Sequence, residues 1–170
     1  MKRHLPIRKR SRSNTMKIEE LAQNVIERLK LDQKTVASAE SCTGGGIGHY
    51  LTSVSGSSAV YTGGVISYTN EVKAHILGVP EEVLEEKGAV SAETAAAMAE
   101  GVRRLMNTDF GISVTGLAGP DGDGSGKPVG LVYIGLCSGR TTVHEFVFSG
   151  NREEVRNQAI ASALEILLHA

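Results

Sequence analysis

The sequence predicts an α/β fold: three layers, α/β/α, around a mixed sheet of about five strands, closed by an antiparallel hairpin. Three observations point there. Short apolar β-like runs alternate with segments of helical periodicity along the chain. The last two apolar runs, 129–137 and 141–148, flank Ser138-Gly139-Arg140 and read as a hairpin. The 170 residues, 41% hydrophobic and 22% charged, suffice for one domain with a core.

The elements follow in order. Residues 1–15 hold Lys2, Arg3, Arg8, Lys9, Arg10 and Arg12 and no acid, leaving 12 basic against 19 acidic residues in the remainder. This arm reads as a solvated, disordered leader, with nucleic-acid contact as its alternative. Residues 16–170 form a single domain. Ile18, Leu21, Ala22, Val25, Ile26 and Leu29 recur at helical spacing, so 16–30 is an amphipathic helix. Residues 35–39 form a strand and 44–54 a helix, in spite of its glycines. A second strand centres on 65–68. Asn70 is placed to cap a helix over 71–77 that stops at Gly78. Pro80 suits the first turn of another. Ser91 caps a long helix to about residue 106, with Ala95, Met98, Ala99, Val102 and Leu105 on its apolar face. Residues 110–114 form a strand, and the hairpin follows. Asn151 with Glu154 resembles a capping box opening the last helix, which buries Val155, Ala159, Ala163, Ile166 and Leu167.

Several chemistries are excluded. The glycines at 44–48 break the dinucleotide fingerprint at His49. Gly126-Lys127 lacks both the first glycine and the hydroxyl of a phosphate loop. Ser41 is flanked by Ala39 and Thr43, so it is not a G-x-S-x-G elbow. The five histidines have no zinc-ligand spacing, and the two cysteines give no disulfide framework. Asp121 and Asp123 form an incomplete cation set. No metal and no cofactor is expected. No segment is long and apolar enough for a bilayer, and a reducing cytoplasm is the simplest setting.

Three segments carry chemistry. AESCTGG, residues 39–45, ends a strand and starts a helix. It places Ser41, Cys42 and Thr43, three potential nucleophiles, ahead of unpaired amides. YTGGVISYTNEVK, residues 61–73, puts Tyr68, Asn70 and Lys73 at a strand's carboxyl end and the following helix start, where α/β sheets gather ligands. A lysine at the third helical position, partly buried, has its pKa lowered towards that of a base, and Tyr68 could relay its proton. On the residues alone, a solvated lysine and a core-edge tyrosine are the commoner outcome. The loop 115–130 is glycine-rich, and its amides could cradle an anion. Free cysteine behaves as a core hydrophobe, so Cys42 is assigned to packing.

Four stretches carry a resemblance: AESCTGG, SGSSAVYTGGVISYTNEVKAHILGV, GAVSAETAAAMAEGVR, and VTGLAGPDG with the following KPVGLVYIGL. In this order, from about residue 17 to the end, the chain resembles the carboxy-terminal domain of the CinA family. The resemblance implies a nicotinamide-nucleotide amidase of the stand-alone kind, converting nicotinamide mononucleotide (NMN) to nicotinate mononucleotide and ammonia. It implies a serine nucleophile at Ser41 with Tyr68 and Lys73 as partners. The oxyanion would rest on amides near Thr43–Gly45. Candidate substrate contacts are Glu40, Thr43, Gly44, Gly45, Asn70, Thr115, Gly116 and Gly119, with Glu40 orienting Lys73 or a ribose hydroxyl, or serving only as a turn carboxylate. The alternatives are a non-catalytic module tied to competence or DNA damage, and an amidase for a related small amide. The alanine-rich helix and the hairpin edge suit a homodimer.

Overall fold

The computed structural model describes residues 17–170, so the basic arm and its nucleic-acid alternative lie outside the described residues. The five-strand mixed sheet is as expected, but open: its order is β2-β1-β3-β4-β5, and the hairpin ends the sheet without closing it. The strands are β1 (Val36–Glu40), β2 (Tyr61–Ile66), β3 (Phe110–Gly116), β4 (Leu131–Cys137) and β5 (Thr141–Val147). β1 is parallel to both β2 and β3, whereas β3–β4 and β4–β5 are antiparallel.

Six α-helices among the described residues cover the two faces. Helices α1 (Ile18–Asp32), α2 (Gly46–Thr52) and α6 (Arg152–Leu168) share one core with Val36, Ile112, Val114, Val132 and Ile134 of the sheet. Helices α3 (Asn70–His75), α4 (Glu81–Lys87) and α5 (Ala92–Met106) lie over the other face, where Leu77, Leu84, Met98 and Val102 pack with Ala37 and Ala39. Alternation along β1 therefore has a chemical consequence. Val36, Ser38 and Glu40 point towards the α2–α6 side, and Ala37 and Ala39 point towards α5. The chain leaves the strand at Ser41, on the second side.

Four expectations need correction. β2 begins at Tyr61 and ends at Ile66, so Tyr68 stands in the loop beyond the strand. Thr69, not Asn70, caps α3: its hydroxyl accepts from the Val72 amide, which makes Lys73 the fourth helical residue. Pro80 is the cap of α4 rather than its first turn. Leu105 is about half exposed, whereas Met106 beside it packs on the core that holds Met98 and Val102. Small residues bring α5 close to the sheet. A Cβ on Gly135 would come within 2.6 Å of the Ala95 carbonyl, and Ser113 donates to that same oxygen.

The last helix opens on a complete capping box. The Asn151 side chain accepts from the Glu154 amide at 2.9 Å, and Glu154 accepts from the Asn151 amide at 2.8 Å. Asn151→Ala is expected to lower the urea midpoint by the equivalent of about 1–2 kcal/mol, measured by far-UV circular dichroism. No helix among the described residues is long and apolar enough to cross a membrane.

Candidate active site

The site lies where the parallel strands end. The Ser41 amide donates to the Val114 carbonyl of β3 at 3.0 Å, and the Ser67 amide beyond β2 donates to the Glu40 carbonyl at 2.8 Å. The backbone around Ser41 is thus pinned from both neighbouring strands.

Lys73 reaches this point from α3. Its Nζ donates to Ser41 Oγ at 3.1 Å, to the Ser67 carbonyl at 2.7 Å and to the Tyr68 carbonyl at 3.3 Å. The side chain is 1% exposed, and none of its hydrogen-bond partners is a carboxylate. Burial disfavours the charged form, so the lysine pKa falls from 10.5 to about 8. A lysine whose pKa burial lowers to about 8 therefore touches the serine hydroxyl. The neighbouring Cys42 sits on the opposite side among the α1–α2–α6 core residues, where burial pushes its thiol up to about 12.

The turn after Ser41 is organised by Glu40. This buried carboxylate accepts from Thr43 Oγ1 at 2.7 Å and from the amides of Gly45, Ile47 and Gly48 at 3.1, 3.0 and 2.9 Å. Glu40 thus stands as a turn carboxylate here, and Lys73 makes no bond to it. The Gly45 amide, one of those expected at the oxyanion, is taken by Glu40, and the Gly44 amide by the Ser41 carbonyl.

Tyr68 meets Lys73 through its carbonyl, which accepts from Nζ. The phenol is exposed and accepts from Arg152 Nη2 at 3.3 Å. Arg152 Nη1 also donates to the Gly119 carbonyl at 2.7 Å, so one guanidinium joins the β2–α3 loop to the glycine-rich loop. Arg156, one helical turn on, donates to the carbonyls of Cys42 and Thr43, both at 3.1 Å. Thr43, Gly44, Gly45, His49, Arg152 and Arg156 border a cavity of about 570 Å³. Ser41, Lys73 and Tyr68 lie outside its lining, which starts at Thr43, two residues past the serine.

The remaining expected contacts separate. Asn70 is exposed at the start of α3. Thr115 is buried and its hydroxyl donates to the Ala89 carbonyl at 2.7 Å, while Gly116 packs against Val132. Of Thr115, Gly116 and Gly119, Gly119 alone is joined to Tyr68, by way of Arg152. Sequence reasoning missed Ser67, Arg152 and Arg156. Arg152 lies within the capping box of α6 and Arg156 just beyond it, but nothing local in NREEVR signals contacts with residues more than thirty positions away.

Fold and site together define a class: an α/β/α domain with a buried serine–lysine pair at the carboxyl ends of its parallel strands. The chain belongs to the CinA family, residues 18–170 matching its C-terminal domain. It is 46% identical over 151 residues to a CinA-like protein of Leptospira biflexa, covering 88% of this chain and 36% of that protein. It is 50% identical over 154 residues to a CinA-like protein of Thermosynechococcus vestitus, covering 88% and 37% respectively. The chain thus spans about a third of the length of the curated relatives it matches. The crystal structure of the competence/damage inducible protein CihA from Agrobacterium tumefaciens superposes with a TM-score of 0.87 at 41% identity, covering 92% of this chain and 98% of that chain.

Proposed function

We propose that this domain hydrolyses the carboxamide of NMN to nicotinate mononucleotide and ammonia, with Ser41 as nucleophile and Lys73 as its base. The observation that carries the proposal is the 3.1 Å contact between Ser41 Oγ and a lysine whose pKa burial lowers to about 8. At pH 7 roughly a tenth of such a lysine is neutral, enough to serve as a base. Neutral Lys73 takes the Ser41 proton as Oγ bonds to the carboxamide carbon. The tetrahedral intermediate then expels the amine, which takes the proton from Lys73 and leaves as ammonia. Water, deprotonated by the same lysine, attacks the nicotinoyl ester, and the C–Oγ bond breaks to give the acid and restore the serine.

The substrate's other parts fit the surroundings. The exposed Tyr68 ring offers a face to the pyridinium cation. The cavity beyond Thr43 carries Arg152, Arg156 and His49 against Glu153, a cationic end for the phosphate. Arg152, held by two neutral oxygens and no carboxylate, is the nearer cation to Tyr68.

The experiment is ammonia release by the purified chain from NMN, nicotinamide riboside and nicotinamide. NMN should be preferred over the riboside by about 10–100-fold in kcat/KM, the worth of a charge-assisted contact. Arg152→Ala should remove most of that preference through KM. No ammonia from NMN, with turnover of another amide, would overturn the substrate. An unchanged preference in Arg152→Ala would overturn the phosphate assignment.

A further inference from the structure

Glu40 is a carboxylate 2% exposed with no cation among its hydrogen-bond partners. An ionised group is costly to bury unless donors surround it. Here they do: two hydroxyls and three amides, the fifth donor being Ser38 Oγ at 3.3 Å. Ser38 Oγ lies 2.8 Å from the Tyr61 hydroxyl. Glycine makes room for this chain: a Cβ on Gly64 would fall 2.5 Å from Ser38 Oγ.

The effect on the turn is specific. The amides of Gly44 and Gly46 go to the carbonyls of Ser41 and Thr43, and those of Gly45, Ile47 and Gly48 go to Glu40. From residue 42 to residue 48, only the Cys42 and Thr43 amides find no acceptor in another residue among the described residues, the Cys42 amide meeting its own thiol. The Cys42 carbonyl is held by Arg156. In a trans peptide the following N–H points the opposite way, so the Thr43 amide is turned from Arg156. These two amides directly follow the nucleophile in the chain, as the oxyanion donor of a strand-to-helix nucleophile turn does.

We infer that Glu40 is a positioning residue: buried behind Ser41, it occupies the donors at the start of α2, fixes the 41–48 turn, and leaves the Cys42 and Thr43 amides as the oxyanion donors. The inference rests on the acyl chemistry proposed above. It also assigns the substrate phosphate elsewhere, because the α2 start already holds an anion.

The test reads Ser41 reactivity without NMN. A fluorophosphonate forms a P–O bond with a serine held in such a site and expels fluoride, and mass spectrometry times the labelling. Glutamine in place of Glu40 turns an NH2 group towards amide donors. Glu40→Gln should fold, label at least ~100-fold more slowly, and lose the same factor in kcat for NMN, with KM changed less than about threefold. Thr43→Val removes one donor to Glu40 at similar volume and should slow labelling ~10-fold, while Thr43→Ser restores it. Labelling of Glu40→Gln at the wild-type rate would overturn the inference. So would normal kcat with KM raised tenfold or more, which would mean that Glu40 touches substrate. If Glu40→Gln does not fold, wild-type labelling in Thr43→Val overturns it. Wild-type protein that labels but releases no ammonia from NMN would sink the substrate proposal alone, and the labelling rates would still decide the role of Glu40.

Discussion

Ser41→Ala is expected to lower ammonia release from NMN by at least ~10³-fold while leaving the fold intact, whereas Cys42→Ala leaves the rate within about twofold. The contrast follows from alternation at the end of β1. Ser41 meets Lys73 on the α3 side, and Cys42 faces the apolar core made with α1, α2 and α6. A thiol with a pKa of about 12 supplies almost no thiolate at neutral pH, so alkylating reagents should leave the activity in place. The hydroxyl is small and its removal leaves Lys73 with both carbonyl partners, so the urea midpoint of Ser41→Ala should stay near that of the wild type. A Ser41→Ala protein with full activity would remove the nucleophile. Loss of activity in Cys42→Ala at unchanged stability would transfer the role to the thiol.

The sequence made the scaffold legible because each element carries its own signal. The apolar faces of α1 and α6 repeat at helical spacing, and Ser91 and Asn151 cap as their residue types predict. Errors fell where tertiary contact decides. β2 is an edge strand whose residues alternate between half-buried and exposed, so its apolar content underestimates its length. Thr69 and Asn70 are both good caps, and only the backbone decides between them. The site divides likewise. Ser41 and Lys73 each sit near a recognisable boundary, but their approach depends on the Ser67 and Tyr68 carbonyls, which every residue possesses and no sequence advertises. The chemistry and the resemblance both place Tyr68 beside Lys73; its carbonyl meets Lys73, while its phenol meets Arg152, a contact that no local pattern signals. Glu40 is legible in both its uses: a carboxylate beside a glycine-rich helix start suggests a ligand contact or a turn carboxylate, and the donors that surround it come from that turn.

Lys73→Met should abolish activity and also change how stability depends on pH. Removing a general base costs about 10²–10⁴-fold in kcat, here towards the upper end, since one amine serves both half-reactions. In the wild type, kcat/KM should rise with pH and level off above about 8, where Lys73 is neutral. The same pKa governs folding. The unfolded lysine titrates near 10.5 and the folded one near 8. Below pH 8 both states carry the proton and the fold bears the full cost of a buried ammonium. Between 8 and 10.5 the unfolded state binds more protons, so this contribution to stability rises with pH, by about 3 kcal/mol across the window. Methionine fills similar volume without a charge, so Lys73→Met lacks this rise. The urea-unfolding free energy of the wild type minus that of Lys73→Met should therefore grow from pH 7 to pH 10.5, other titrations cancelling between the two proteins. At pH 7 the variant is relieved of the ammonium but leaves the Ser67 and Tyr68 carbonyls without their donor, a loss of about 1–3 kcal/mol, so the two proteins should be nearly equally stable there. A difference that stays flat with pH would mean that Lys73 keeps an ordinary pKa and is no base at neutral pH. A flat difference together with a wild-type rate in Lys73→Met would remove the lysine from the mechanism altogether.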